Sequence, residues 1–218
     1  MRMRKKKHGA ERFAACSAMI YDKSTNCFGN DHPVRLEIGC GKGRFILETA
    51  KRNPEINFIA VEKVTDVLLL AMEHAMAEGI TNVRFLNCDA TVLTDLIAPH
   101  SIALIYLNFS DPWPKKGYYK RRLTYRGFLE QYRQLLVPGG GIHQKTDNAI
   151  LFDFSLEEYR ACGFRCDAIT RDLHHSEWET DNVHTEYEDN FSAKGFPIHR
   201  VEAYLSYAPE NAPNNESA

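Results

Sequence analysis

Several features that mark other classes of protein are missing from this sequence. It has no run of about 18 apolar residues, so we expect no membrane span. No apolar stretch follows the basic residues at the N-terminus, so we expect no export signal. CxxC pairs are also missing, which argues against a disulfide framework. Scattered cysteines favour reduced thiols and a cytoplasmic location: Cys16, Cys27, Cys40, Cys88, Cys162 and Cys166.

A strong net charge is also lacking. The 218 residues carry 27 basic and 29 acidic side chains, for a net charge of -2. With 44% hydrophobic residues, the chain has the composition of an ordinary globular domain and should bury roughly 70% of its extended surface. We predict a basic N-terminal extension over residues 1–32, one domain over 33–207 and a disordered polar tail over 208–218. The extension begins with a mobile basic arm over residues 1–8.

From residue 34 onward, strand-like and helix-like segments alternate. Such alternation predicts an α/β fold with a mainly parallel sheet and helices on both faces. Ligands of such sheets bind beyond the carboxyl ends of the strands, so the loops that follow the strands are of most interest. The expected strands are 34–38, 58–61, 83–86, 102–107, one near 142, 164–169 and 201–207, and the expected helices are 43–53, 64–78 (capped by Gly79), 126–136 and 149–161. Residues 108–125 are expected to form a loop, and residues 138–141 a turn.

A glycine-rich loop follows the first expected strand. Gly39 and Gly41 allow a sharp turn and a close approach to a ligand, but Arg44 stands where a dinucleotide fingerprint has its third glycine. Glu37 would repel a diphosphate and favour a cation, and S-adenosylmethionine carries both a sulfonium and an ammonium. Glu62 and Asp89 end the next two strands and would accept hydrogen bonds from the ribose hydroxyls and the adenine amino group. The alternative is a structural turn with solvated acids.

The loop after the fourth expected strand is unusually rigid. Pro112 and Pro114 flank Trp113 and restrict the backbone to an extended path. Such rigidity suits a carboxylate that must be aimed, and Asp111 is the candidate, although it could also be a turn-forming residue. Trp113 could stack on a base or wedge the loop against the core.

Basic and aromatic residues are interleaved downstream of this loop. Seven cations surround a single acid, Glu130, and Tyr118, Tyr119 and Tyr125 lie among them. This pattern indicates contacts to phosphates, with stacking groups for bases, although a charge run can also be an ordinary solvated face. The cations are Lys115, Lys116, Lys120, Arg121, Arg122, Arg126 and Arg133.

Taken in order, these motifs resemble the bacterial tRNA (guanine-N7-)-methyltransferase family. The resemblance extends from about Arg35 to Tyr204. It departs at Gly117-Tyr118-Tyr119, where the family is more basic, and at Gln144, where an aromatic residue is expected. The motifs are Asp111-Pro112-Trp113-Pro114-Lys115, Lys145-Thr146-Asp147-Asn148, Asp172-Leu173-His174, Thr185-Glu186-Tyr187-Glu188 and Gly195-Phe196-Pro197-Ile198.

The resemblance implies a Rossmann-like class I methyltransferase with seven strands, the last one antiparallel. It implies transfer of a methyl group from S-adenosylmethionine to guanine N7 at position 46 of the tRNA variable loop, with tRNA as the partner and no obligate protein partner. Asp111 would be the catalytic residue, serving both cofactor and guanine. The implied cofactor residues are Glu37, Gly39, Gly41, Glu62, Asp89 and Asp111, the substrate residues Lys115, Asp147, Thr185, Glu186, Tyr187 and Glu188, and the RNA contacts Lys120, Arg121 and Arg122.

Guanine N7 has a free lone pair, so methylation needs alignment and no general base. Methylation makes the base cationic, and a carboxylate at Asp111, Asp147 or Glu188 would then bind the transition state more tightly than the ground state. We favour Asp111 because its loop lies beside the cofactor pocket.

Three other functions are compatible with parts of the sequence. An amino methyltransferase acting on adenine or cytosine would carry adjacent prolines, whereas Trp113 separates them here. A non-catalytic RNA-binding module would not need the acids at the strand ends. A metal enzyme would use histidines such as His174, His175 and His184, but no HExxH or paired CxxC spacing supports a metal site.

Overall fold

A computed structural model describes residues 9–206 of the chain. The fold is built on a single seven-stranded sheet. The strand order is β3-β2-β1-β4-β5-β7-β6. Neighbouring strands are parallel except for β7, which is antiparallel to both β5 and β6. The predicted α/β sheet with an antiparallel last strand is therefore confirmed. The strands are β1 Val34–Ile38, β2 Asn57–Val61, β3 Val83–Leu86, β4 Ile102–Asn108, β5 Leu136–Thr146, β6 Phe164–Thr170 and β7 His199–Leu205.

The helices of the described region lie on both faces of this sheet. The four predicted helices correspond to α2, α3, α5 and α6, and α3 ends before Gly79, whose φ of 66° is the left-handed conformation of a C-cap. Three short helices are additional, because segments of four to seven residues show little periodicity. The bounds are α1 Gly9–Ala15, α2 Arg44–Arg52, α3 Thr65–Ala77, α4 Leu93–Leu96, α5 Arg126–Leu135, α6 Ala149–Ala161 and α7 Glu186–Ser192.

Strand β5 begins earlier than the sequence predicts. Residues 138–141, expected to form a turn, lie within it. Its register with β4 shifts between Ile102, which faces Leu136, and Leu104, which faces Gly141. This irregularity accommodates the extra residues as a bulge. A Cβ atom on Gly141 would lie 2.5 Å from the Tyr204 ring, so glycine is needed where β7 crosses closely. The expected loop 108–125 likewise contains a short 3₁₀ helix, Lys116–Arg121.

The sheet separates two hydrophobic cores. Helices α5 and α6 pack on one face, where Tyr132 and Tyr159 are fully buried. Helices α2 and α3 pack on the other face through residues such as Phe45 and Met72. Because alternate strand residues point to opposite faces, both cores draw on the same strands. None of the described helices is long and apolar enough to cross a bilayer.

The described part of the N-terminal extension packs against the second core. Arg12 on α1 donates two hydrogen bonds to the Glu73 carboxylate on α3, at 2.7 and 2.6 Å. Cys16 and Met19 are buried, and the Tyr21 amide donates to the Phe85 carbonyl. The basic arm over residues 1–8 and the tail over 208–218 lie outside the described residues.

Candidate active site

The candidate site lies where the chain reverses its direction of winding through the sheet. β1 and β4 are neighbours, β2 and β3 continue to one side, and β5 continues to the other. Loops that leave the carboxyl ends of two such strands diverge and open a crevice. The crevice contains two cavities, of about 710 and 420 Å³, that share Gly39, Asn108 and Phe109 in their walls.

The glycine loop after β1 is fixed by its backbone. The amides of Gly39 and Cys40 donate to the Val61 carbonyl at 2.8 and 2.9 Å. Gly41, with a φ of 58°, donates to the Glu62 carboxylate at 3.3 Å. Gly43 has a φ of 88°, and a Cβ atom there would lie 2.8 Å from the Ala71 Cβ atom. Glycine at 43 thus allows α2 to pack closely on α3, while Gly39 and Gly41 shape the cavities.

Glu37 is a buried carboxylate with one oxygen unpaired. Only 2% of the residue is exposed. Its Oε1 atom accepts a hydrogen bond from the Asn108 amide at 2.9 Å, whereas Oε2 is buried without a hydrogen-bond partner. Burial raises the pKa of Glu37 to about 7, although Asn108 and the charge of Lys145 oppose the rise. Glu37 lines the smaller cavity, so a cationic group bound there would satisfy Oε2.

Glu62 and Asp89 line the larger cavity and are held by the backbone. Glu62 accepts a second amide hydrogen bond, from Val64, at 2.9 Å. Asp89 accepts from the Thr91 amide at 3.0 Å, and this hydrogen bond, more than any other interaction, lowers the pKa of Asp89. Both groups are therefore preorganised acceptors that line the larger cavity.

Asp111 also lines the larger cavity and is exposed. The loop that carries it contains two residues in the left-handed region, Phe109 with a φ of 52° and Trp113 with a φ of 42°. Residues other than glycine rarely adopt this backbone conformation, and such strain concentrates at functional sites. The Phe109 amide donates to the Lys145 carbonyl at 2.9 Å, which ties the loop to β5.

The basic residues downstream of Asp111 divide into two groups. Lys115, Lys120 and Arg121 are exposed, and Lys120 and Arg121 line the larger cavity. The Arg121 guanidinium lies 5.0 Å from the Trp113 ring and 4.9 Å from the Tyr118 ring, so Trp113 packs within the loop. Arg122 is only 8% exposed, and its Nε atom donates to the Pro112 carbonyl at 2.9 Å.

The segment 185–188 forms the start of α7. Thr185 and Glu188 form a capping box around the first turn. Three residues of this segment line the smaller cavity: Thr185, Glu186 and Tyr187. Glu186 forms an ion pair with Lys42 at 2.8 Å. Burial, together with the Asp147 carboxylate, raises the pKa of Tyr187 to about 12. The Tyr187 hydroxyl donates to Asp147 at 3.4 Å, so α7 contacts the glycine loop through Glu186 and the residue after β5 through Tyr187.

Glu188 is fully buried and does not face either cavity. It accepts hydrogen bonds from Lys145 at 2.6 Å, from Asn182 at 2.7 Å and from His174 at 3.1 Å. Burial opposes its ionisation, but Lys145 and these hydrogen bonds outweigh that effect and lower the pKa of Glu188. The Lys145 ammonium also donates to the Val183 carbonyl at 2.8 Å. This network fastens residues 182–188 to β5.

Other polar residues of the motifs have structural partners. His174 and His184 stack with ring centroids 5.0 Å apart, and His184 lies between Glu179 and Asp189 at 2.8 and 2.7 Å. His174, Glu179 and His184 are close enough to hold a metal ion. In this structure the Nε2 atom of His174 and both ring nitrogens of His184 are hydrogen-bonded to carboxylates. Gln144 is buried and bonds Ser155 and Tyr159.

The structure thus brings all six of the predicted cofactor residues to the two cavities. Glu37, Glu62, Asp89 and Asp111 all line the two cavities, as do Gly39 and, in the smaller one, Gly41. Lys115 and Asp147 lie outside the walls of both. Asn108 and Lys145 carry contacts that the motifs alone do not reveal, because both depend on which strands become neighbours.

A glycine turn after β1, acids at the ends of β1 to β3 and an antiparallel β7 define a class I methyltransferase. A family model described as "Putative methyltransferase" matches residues 31–201. The chain is 54% identical over 176 residues to a tRNA (guanine-N(7)-)-methyltransferase of Brevibacillus brevis (strain 47 / JCM 6285 / NBRC 100599), covering 81% of this chain and 82% of that one. This chain belongs to the tRNA (guanine-N(7)-)-methyltransferase family.

A second relative and one solved structure extend the comparison. A tRNA (guanine-N(7)-)-methyltransferase of Geobacillus sp. (strain WCH70) is 45% identical, covering 97% of this chain and 98% of that one. The crystal structure of the 16S rRNA methyltransferase KamB superimposes with a TM-score of 0.61 at 14% identity, covering 94% of this chain and 96% of that one. At that identity the likeness concerns the fold.

Proposed function

We propose that this enzyme transfers a methyl group from S-adenosylmethionine to guanine N7 of tRNA in the cytoplasm, at position 46 of the variable loop. The observation that carries the proposal is the position of Asp111. Its exposed carboxylate lies in the wall of the same cavity that Glu62 and Asp89 line. The names of the relatives support the substrate and the atom, and the resemblance of the motifs supports position 46.

The two joined cavities fit S-adenosylmethionine by the chemistry of their walls. The unpaired Oε2 atom of Glu37 suits the ammonium of the methionine part in the smaller cavity. In the larger cavity Glu62 would accept from the ribose hydroxyls and Asp89 from the adenine amino group. Gly39 and Gly41 leave room for close approach of the backbone. When bound, the cofactor supplies an electrophilic methyl group on its sulfonium.

The chain's own residues would align the base. Guanine N7 has an in-plane lone pair, so no proton must be removed before it attacks, and alignment is worth roughly 7–11 kcal/mol where geometry is fixed. Methylation leaves a positive charge on the purine, and its ring NH and amino group become stronger donors. The Asp111 carboxylate would accept from them and stabilise the transition state.

The structure supports Asp111 over the two other carboxylates. Glu188 is fully buried and already accepts from Lys145, Asn182 and His174, so it has a structural role in this proposal. Asp147 is partly exposed and accepts from Tyr187 at the rim. We therefore assign Asp111 to catalysis and keep Asp147, with Lys115 and the 185–187 segment, as contacts to the substrate.

The RNA backbone would meet the exposed cations at the rim. Lys120 and Arg121 are exposed and line the larger cavity, and Tyr118 lies against Arg121. Phosphate contacts at this rim would hold a nucleotide while its base enters the cavity. Arg122 is left out of this contact set, since its guanidinium bonds the loop itself.

Methyl transfer to defined transcripts tests the proposal. The purified enzyme is given labelled S-adenosylmethionine with unmodified tRNA that carries guanine or adenine at position 46, and digested nucleosides are identified by mass spectrometry. We expect 7-methylguanosine only in the guanine set. 7-Methylguanosine in both sets would refute position 46, and a methylated adenine or cytosine would refute the assigned base.

A further inference from the structure

The loop that carries Asp111 needs an external restraint. Phe109 and Trp113 both have a positive φ without being glycine, and a strained conformation of this kind persists only where neighbouring groups impose it. The Phe109 end is fixed by the hydrogen bond to the Lys145 carbonyl. The Trp113 end, two residues beyond Asp111, requires a second restraint.

Arg122 supplies contacts at that end. Its Nε atom donates to the Pro112 carbonyl at 2.9 Å, and Nη2 donates to the Trp113 carbonyl at 3.4 Å. These two carbonyls stand on either side of the strained Trp113 residue. The guanidinium also lies 4.5 Å from the ring of the half-buried Phe154, which connects it to α6. One side chain thus joins two consecutive peptide units of the loop to the body of the domain.

The neighbouring arginine has a different environment. Arg121 is exposed and contacts the rings of Trp113 and Tyr118. The two consecutive arginines therefore contact the same tryptophan. Arg122 contacts the backbone carbonyl of Trp113, and Arg121 contacts the Trp113 ring. Only Arg121 retains an exposed guanidinium for a phosphate.

We propose that Arg122 is a positioning residue, which acts on the reaction by fixing the conformation of the 108–114 loop and the direction of Asp111. It makes no contact with RNA in this assignment. The inference rests on the proposed function for the role of Asp111, but the contact between Arg122 and the loop can be measured without turnover.

The test compares Arg122→Met, Arg122→Lys and Arg121→Met, with the exposed Arg160→Met on α6 as a control for loss of a surface arginine. Since a misplacement of about 1 Å can cost about 10²-fold in rate, we expect Arg122→Met to lower kcat by about that factor at unchanged KM for tRNA. Lysine cannot donate to both carbonyls in the way that the guanidinium does, so the kcat of Arg122→Lys should lie between those of the wild type and Arg122→Met. Arg121→Met should instead raise KM and reduce the salt dependence of RNA binding.

A second measurement reports the loop directly. Trp113 and Trp178 are the two tryptophans of the chain, so a Trp178→Phe background isolates Trp113 fluorescence. We expect acrylamide to quench Trp113 more strongly in Arg122→Met than in its parent, with the melting curve still cooperative. If Arg122→Met is unstable, the same comparison is made with Arg122→Lys.

Either of two results would overturn the proposal. A wild-type kcat with a raised KM and a reduced salt slope would make Arg122 a phosphate contact, and unchanged quenching would remove its role in the loop. If the wild-type enzyme fails to methylate tRNA guanine, the proposed function falls, while the quenching comparison still measures what Arg122 does.

Discussion

Cofactor affinity should depend on pH through Glu37. The carboxyl is buried, its Oε2 atom has no partner, and burial raises its pKa to about 7 from an ordinary value of 4.5. A carboxyl with this pKa is half protonated at neutral pH. Only the ionised form attracts the ammonium of S-adenosylmethionine, so binding should favour ionisation and release a proton.

The magnitude follows from the pKa. If only ionised Glu37 binds, the apparent Kd is multiplied by one plus the ratio of protonated to ionised enzyme. With a pKa of about 7, that factor rises from about 1.3 at pH 7.5 to about 30 at pH 5.5, a loss of roughly 25-fold or nearly 2 kcal/mol. Because the bound ammonium favours ionised Glu37, cofactor binding lowers the pKa of this carboxyl. The affinity for the cofactor therefore falls as the pH falls through the pKa of Glu37 in the free enzyme.

Isothermal titration calorimetry between pH 5.5 and 7.5, in buffers of different ionisation enthalpy, measures both the affinity and the released proton. Glu37→Gln is the matched control, since it keeps the shape of the side chain and cannot titrate. Its affinity should be weaker than the wild type at pH 7.5 and nearly flat with pH. A flat wild-type profile, or an equal slope in Glu37→Gln, would refute the role of this carboxylate.

Three further predictions concern the reaction, the RNA and the fold. Asp111→Ala should lower kcat by about 10²–10³-fold while calorimetry still detects cofactor binding, and wild-type turnover would contradict its assignment. Lys120→Met and Arg121→Met should each reduce the log–log salt slope of tRNA binding by about 0.7, and a slope equal to that of the wild type would rule out a phosphate contact. Lys145→Met should lower the free energy of unfolding, measured by urea denaturation, by about 3–5 kcal/mol, because Glu188 stays buried without its cation. The double variant Lys145→Met/Glu188→Met should recover much of that loss. A double variant no more stable than Lys145→Met would contradict the coupling of the pair.

Strands and helices could be predicted from the sequence where the local hydrophobic pattern agrees with the tertiary packing. Segments such as Val83–Leu86 and Ala149–Ala161 have the predicted bounds, because buried strands and amphipathic helices leave clear periodicities. The bulged start of β5 was not predictable in the same way, since residues 138–141 have the composition of a turn. Helix α7 did carry a signal, the Thr185-to-Glu188 capping box, although it is too short to show a period.

Charged residues of the site were harder to assign than glycines. Sequence places Arg121 and Arg122 side by side in one basic run, yet one is exposed and the other buried. Glu188 lies in a motif expected to contact substrate, and its carboxylate instead pairs with Lys145. Which way such a side chain points is fixed by the neighbours that folding supplies, so adjacency in sequence carries little information about burial.

Despite the near-neutral net charge of the chain, the site contains two regions of opposite charge. Glu37, Glu62 and Asp89 line the cavities, where a sulfonium cofactor and a guanine becoming cationic would both favour negative surroundings. Lys120 and Arg121 lie at the rim, where a polyanionic backbone would favour the reverse. The carboxylates among the residues that line the two cavities suit a reaction that needs charge stabilisation and alignment. The acidic interior therefore suits a guanine that would become cationic on methylation at N7, while the basic rim suits the phosphates of the RNA that carries the base.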